Sequence, residues 1–179
     1  DVLEAEFRPM AESKDLKLIV ENSTDVILMG DKERIMQIGD NLLSNAIKYT
    51  QAGSVSFHSG YDGKTLALIV EDTGSGMSEE EQQRVFGEFE RLSNAATQDG
   101  FGLGLSIVKR IVDMMHGKIR LESEKGRGSR FTVEVPMNTA DGISDEEKYK
   151  PERRFERSFS VIVLDDNDIL LSMVRDMYA

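Results

Sequence analysis

The stretch from Asp31 to Thr50, DKERIMQIGDNLLSNAIKYT, constrains the chain most, because it reads as one helix with two unlike faces. Ile35, Ile38, Leu42, Ala46 and Tyr49 recur at helical spacing and call for a core to face. Gln37, Asn41, Asn45 and Lys48 fall three or four apart on another side, which lines up three carboxamides and an ammonium along the cylinder. Such a stripe is either a solvated helix face or a ligand surface. In the second case carboxamide oxygens suit a hard cation such as Mg²⁺, and a lysine suits the phosphates that share the metal.

The totals narrow the function classes. A chain of 179 residues, 39% hydrophobic and 31% charged, has material for one good core and part of a second, so one domain plus an appendage is expected. No apolar run approaches the ~20 residues that cross a bilayer, and the opening DVLEAEFRPM is too acidic for a signal peptide, so a cytoplasmic location is expected. The absence of cysteine excludes disulfides, thiol catalysis and cysteine-based zinc sites. A formal charge of -11 opposes nonspecific binding to nucleic acid or anionic membrane, so local groups must hold any anionic ligand.

In chain order, Val2 to Lys14 is an amphipathic helix candidate with Leu3, Phe7 and Met10 inward and Pro9 within it. Leu16 to Glu21 and Val26 to Met29 read as strands, and Asp31 caps the two-faced helix. Ser54 to Ser59 and Thr65 to Glu71 alternate as a hairpin around Tyr61-Asp62-Gly63-Lys64. Ser78 and Glu81 form a capping box for a helix reaching about Phe86. From Gly87 to Gly100 the periodicity is lost, as in a mobile loop. A second amphipathic helix follows, with Leu105, Val108, Ile111, Val112 and Met115 inside and Gly117 at its end. Lys118 to Glu124 and Ser129 to Val135 are strands about the turn Lys125-Gly126-Arg127-Gly128. Asn138 to Ser158 is about half charged and reads as a linker. Phe159 to Leu164 then opens a fresh buried strand ending in Asp165-Asp166.

Glycine clusters around Gly74, Gly102 and Gly126 sit beside these element ends, where main-chain N–H groups can approach a ligand or simply make turns. The middle cluster, feeding a helix, is the best candidate phosphate cradle. It is no dinucleotide fingerprint, because Leu105 stands where the third glycine belongs. Asp72, at the end of a buried strand, is either a turn residue or an acceptor for a donor such as an adenine amino group. His58 and His116 lack ligand-like spacing and read as a strand-face and a helix-end residue. No serine sits in a hydrolase elbow.

Taken in order, Asn41-Leu42-Leu43-Ser44-Asn45-Ala46-Ile47-Lys48-Tyr49, Asp72-x-Gly74-x-Gly76-Met77, Phe86-x-x-Phe89-x-Arg91, Gly100-x-Gly102-Leu103-Gly104-Leu105-Ser106 and Gly126-x-Gly128-Ser129 closely resemble the N, G1, F, G2 and G3 boxes of the catalytic ATP-binding domain of sensor histidine kinases. The resemblance covers Val2 to Pro136. It implies a Bergerat α/β sandwich: helices cover one face of a mixed sheet, and a flexible lid closes over ATP. By position it implies that Asn45 ligates Mg²⁺ with Asn41 close by, Lys48 reaches the phosphates, and Tyr49 lies against adenine. Asp72 accepts from the adenine amino group, and Gly74 and Gly76 give the base room. Arg91 contacts the γ-phosphate, while Gly102 and Gly104 cradle phosphates within a segment that includes Gly100, Leu103 and Leu105. Ser129 matches the last box. Asn41, Lys48 and Arg91 are thereby implied in catalysis.

The same resemblance implies a role in two-component signalling, donating the γ-phosphoryl group of Mg-ATP to a histidine on a helical hairpin that this chain lacks. FSVIVLDDND resembles the first strand and acidic pair of a response-regulator receiver domain, so the expected division is 1–137 catalytic domain, 138–158 linker and 159–179 receiver start, within a hybrid kinase. The piece itself is expected to be monomeric and its parent homodimeric, with membrane anchoring of the parent left open. Two rivals remain: an ATP-hydrolysing relative of the same fold, and a degenerate domain kept for docking or sensing. In the first a glutamate near the Asn41 position activates water, whereas an amide is a poor base.

Overall fold

Alternation along two neighbouring strands sets the architecture. In β4 (Thr65–Asp72), Leu66, Leu68 and Val70 are buried, and in β6 (Gly128–Pro136), Phe131, Val133 and Val135 are buried on the same face. β3 (Ser54–Tyr61) adds Val55 and Phe57, and β1 (Lys17–Asn22) adds Leu18. With β5 (Lys118–Glu124) these form a five-stranded sheet of order β1-β3-β4-β6-β5. β1 runs parallel to β3 and the other pairs are antiparallel, so the sheet is mixed, as expected. The outer face carries exposed ion pairs, Arg120 with Glu134 at 3.0 Å and Arg130 with Glu71 at 3.3 Å. Each contributes at most about 1 kcal/mol, so they keep this face soluble rather than hold the fold.

The inner face is covered by α1 (Val2–Glu12), α2 (Lys32–Tyr49) and α4 (Gly104–Met114). The computed structural model describes residues 2–24, 26–87 and 104–139, all within 1–144, the first of two units into which the chain divides. Arg91, Gly100, Gly102, Leu103, most of the expected lid and linker, and the strand expected at 159–164 lie outside the described residues. No helix among the described residues is long and apolar enough to cross a membrane.

Local chemistry accounts for the helix limits. Asp31 caps α2, accepting from Arg34 N at 3.1 Å, and Ile38, Leu42, Leu43, Ala46 and Ile47 form its buried side. The short α3 (Glu79–Arg84) begins at the expected capping box, with Ser78 Oγ accepting from Glu81 N and a Glu81 carboxylate oxygen accepting from Ser78 N. Asp62 closes the hairpin, accepting from Lys64 N at 2.9 Å and Thr65 N at 2.8 Å.

Three local expectations change. Met10 is 47% exposed and Ala11 is buried in its place, because Leu3, Phe7 and Ala11 recur every four residues and one stripe cannot hold both. The strand expected over Val26 to Met29 contracts to β2 (Leu28–Met29), which pairs antiparallel with β7 (Asn138–Thr139), so the residues read as the start of the linker are strand. At the end of α4 the left-handed residue is His116, φ 55°, rather than Gly117. Gly117 N donates to Val112 O at 2.8 Å and His116 N to Asp113 O at 3.0 Å, the two bonds of a Schellman ending. α1 closes the same way: Leu16 N donates to Ala11 O and Asp15 N to Glu12 O, both at 3.0 Å, with Asp15 at φ 56°.

One polar atom on α2 is out of place. Asp40 Oδ1 is buried with no hydrogen-bond partner among the described residues, and burial together with the nearby Glu6 charge pushes the Asp40 pKa up. A carboxyl whose folded pKa lies above its unfolded value is penalised wherever both states are ionised, and the penalty fades as pH falls through the folded pKa. Asp40→Asn is therefore expected to raise the thermal midpoint at pH 7 by about 2 °C. Paired melts should show this advantage shrinking as the pH approaches the ordinary carboxylate range. An advantage that grows on acidification would contradict the assignment.

Candidate functional site

The inward series of β4 does not end on an apolar residue. After Leu66, Leu68 and Val70 the next inward position is Asp72, only 7% exposed. Register places Ser129 of β6 beside Asp72 and Ser123 of β5 beside Ser129, so the core face of the sheet turns polar at one end. A carboxylate so enclosed is costly unless donors reach it. Two main-chain groups do: Gly74 N donates to Asp72 Oδ1 at 2.8 Å, and the N–H of Ser129 also donates to the carboxylate. Burial nevertheless prevails over both bonds and holds the Asp72 pKa above the usual carboxylate range.

The surroundings of Asp72 are pinned from several sides. Ser123 Oγ donates to Gly128 O at 2.8 Å, lies 3.1 Å from Ser129 Oγ, and accepts from Met77 N at 2.8 Å. Gln82 of α3 donates to Ser123 O at 2.8 Å and to Met77 O at 3.2 Å. A pocket opens in front of the carboxylate. Asn45, Ala46 and Tyr49 of α2 line one side, Asp72, Ser75, Gly76 and Met77 another, and Val85, Leu105, Ser129 and Phe131 complete it. Phe86 packs edge-on against Phe131, ring centroids 6.4 Å apart. An apolar slot with one acceptor at its end is suited to a flat, largely apolar ligand that carries an N–H donor.

Beside this slot the polar stripe of α2 meets the start of α4. A Cβ on Gly104 would lie 2.9 Å from Asn41 Oδ1 and 3.5 Å from Asn45 Nδ2, so the start of α4 lies directly against the two carboxamides, and a side chain there would push the Asn41 amide aside. Asn41 Nδ2 donates to Gln37 O at 2.8 Å, which turns its oxygen away from its own helix. Main-chain N–H groups at a helix start favour an anion. Among the described residues no group of three or more His, Cys, Asp or Glu side chains could hold a metal. The oxygen beside Gly104 is the carboxamide Oδ1 of Asn41, with the Asn45 amide next to it, a donor type that fits Mg²⁺ because it takes few protein ligands and shares phosphate oxygens.

The structure thus brings Asn45, Tyr49, Asp72, Gly76, Leu105 and Ser129 to one pocket, with Asn41 and Gly104 adjoining through Asn45 and Gly74 behind Asp72. Lys48 is not among the lining residues; its Nζ lies 5.5 Å from the Tyr49 ring centroid. His58 Nδ1 is 3.1 Å from Glu21 Oε2, and neither it nor His116 lines the pocket. Sequence reasoning did not assign Ala46, Ser75, Met77, Val85 or Phe131 to the site. Phe131 was findable as the next inward residue after Ser129, whereas Val85 gave no local sign of its destination.

The chain is similar in sequence and fold to known proteins. The family model described as histidine kinase-, DNA gyrase B- and HSP90-like ATPase matches residues 30–139. The chain is 34% identical over 179 residues to the autoinducer 2 sensor kinase/phosphatase LuxQ of Vibrio parahaemolyticus, covering 92% of this chain and 21% of that protein. It is 39% identical over 137 residues to the sensor histidine kinase RcsC of Escherichia coli K12, covering 74% of this chain and 14% of that protein. The chain therefore spans about a fifth or less of these curated relatives. Among solved structures, full-length ShkA in complex with AMPPNP superposes with a TM-score of 0.69 at 32% identity, covering 77% of this chain and 29% of that one.

Gly128 tests how tightly the polar end of the sheet is built. It has φ 98°, and a Cβ there would lie 1.8 Å from Asp72 O. Gly128→Ala is expected to destabilise the fold by at least about 2 kcal/mol in urea titration, since conformational strain and a main-chain clash combine. A change below about 0.5 kcal/mol would contradict the close β4–β6 contact.

Proposed function

Because the chain belongs to the histidine kinase-, DNA gyrase B- and HSP90-like ATPase family, we propose that it binds Mg-ATP and donates the γ-phosphoryl group to a histidine on a phosphoacceptor hairpin of its parent protein, in two-component signalling. The observation that carries the reading is Asp72, a buried carboxylate at the closed end of an apolar slot, beside a carboxamide pair and a helix start. Adenine fits the slot: it offers a flat face to Tyr49 and an amino donor to Asp72. The triphosphate then extends toward Gly104 and the start of α4. Asn45, assisted by Asn41, would hold Mg²⁺, which when bound neutralises charge on the phosphates.

Around that nucleotide the residues position rather than react covalently. Lys48 swings from the Tyr49 ring to the phosphates, and Ser129 keeps Asp72 in place. Arg91 as a γ-phosphate contact, and Gly100, Gly102 and Leu103 in the phosphate loop, complete the site on the strength of the sequence boxes. The acceptor imidazole nitrogen attacks γ-phosphorus, forming an N–P bond as the bond to the β-phosphate oxygen breaks and ADP leaves. Asn41, being an amide, gives water no general base, which favours transfer over hydrolysis. The remainder of the linker, 140–158, and 159–179 as the start of a receiver domain belong to the same reading, with a homodimeric parent.

Calorimetric titration with ADP, with and without Mg²⁺, tests the site. Asp72→Asn is expected to weaken binding by about 10–100-fold, the range for losing a hydrogen bond to a charged group. Asn45→Ala should leave metal-free binding and lose the gain given by Mg²⁺. The donor bonds more strongly to ionised Asp72 than to the protonated carboxyl, and burial has raised the pKa of that group. Affinity should therefore fall on acidification before an ordinary carboxylate titrates, and Asp72→Asn should lack that fall. A folded chain that binds no ADP, or binds it equally well as Asp72→Asn, would remove the reading.

A further inference from the structure

Lys14 lies outside the pocket, in the turn between α1 and β1, and nothing above gives it a role. Its Nζ donates to three main-chain carbonyls at the C-terminal end of α2: Ile47 O at 2.8 Å, Lys48 O at 3.0 Å and Thr50 O at 3.4 Å. An ammonium has three N–H groups and no acceptor, so three carbonyls saturate it. A cation there also complements the negative end of the helix dipole.

The intervening carbonyls have other donors. Ala46 O accepts from Thr50 N at 3.1 Å and Thr50 Oγ1 at 2.7 Å, while Tyr49 O accepts from Ser75 N at 3.4 Å. Every carbonyl from Ala46 to Thr50 is thus engaged, three of them by one side chain. The Tyr49 carbonyl is also where the loop after Asp72 packs, since a Cβ on Gly74 would lie 2.6 Å from it. The same helical turn carries Asn45, Lys48 and Tyr49. A rotation of this turn would therefore move both walls of the pocket together.

We propose that Lys14 is a positioning residue for the nucleotide site: from the end of α1 it clamps the last turn of α2, and so fixes Tyr49 and Asn45 against the loop that follows Asp72. The Schellman ending of α1, with Asp15 left-handed, holds the Lys14 backbone in place for this. The inference rests on the nucleotide reading of the pocket. A purely structural tether between α1 and α2 would affect stability alone.

The test titrates ADP into the full chain, K14M and K14R at 10 °C, with thermal melts establishing that each is folded at that temperature. K14M keeps the stem and loses charge and donors; it is expected to bind ADP roughly tenfold more weakly, with the Ser75 amide resonance displaced in nitrogen–proton spectra. K14R, which keeps charge and donors, should recover affinity to within about threefold of the unaltered chain. If K14M does not fold, K14Q, uncharged but retaining an amide donor, replaces it with a loss expected in the same direction. A folded K14M or K14Q that binds ADP as tightly as the unaltered chain would overturn this inference alone, whatever its melting point. Absence of ADP binding by the unaltered chain would overturn the nucleotide reading and this inference with it.

Discussion

The β4–β6 ladder is the constraint on which the rest depends. Its register sets Asp72 beside Ser129, and those two residues end two inward-facing apolar series. A slip of one residue would exchange the faces, sending Leu66, Leu68 and Val70 to solvent and the carboxylate out of the pocket. Core formation and site formation are therefore a single event in this sheet. The apolar alternation that drives burial delivers the carboxylate to its place. Gly128 then allows the β6 backbone to pass within van der Waals range of the Asp72 carbonyl.

α2 supplies the second wall by the same economy. Ile38, Leu42, Leu43, Ala46 and Ile47 bury one side against the sheet, and the register of that burial carries Asn41 and Asn45 to the start of α4. Truncating one of the fully buried residues, such as Leu42, would be expected to cost about 2–5 kcal/mol, far more than any exposed ion pair contributes. Packing therefore determines where the carboxamides lie, and hydrogen bonds at the helix end refine it.

Strongly periodic segments were legible in the sequence. The span of α2 with its Asp31 cap, the hairpin turn at Asp62, the Ser78–Glu81 capping box and the strand β5 all stand where spacing placed them. What local reasoning lacked was non-local pairing. Nothing in Asn138–Thr139 announces β2 as a partner, and nothing around Lys14 announces the carbonyls of α2. The ending of α4 also misled, because glycine is the usual left-handed residue and here His116 takes that position. Asp72 read alone was as consistent with a turn as with a ligand acceptor; its place in an inward series is what separates the two. Apolar lining such as Val85 and Phe131 comes from elements far apart in the chain, so only the packed core reveals it.

The donor set also distinguishes chemistries within one fold. On the proposed reading, with an amide at Asn41 and Asp72 engaged by adenine, the described part of the site offers no group to activate water, which fits transfer to an external nucleophile. The most direct measurement mixes the chain with γ-labelled ATP, Mg²⁺ and a separately produced phosphoacceptor hairpin from the parent protein. The account predicts label on the hairpin as an acid-labile, base-stable phosphohistidine, accumulating faster than inorganic phosphate is released. Rapid phosphate release with an unlabelled hairpin would contradict it.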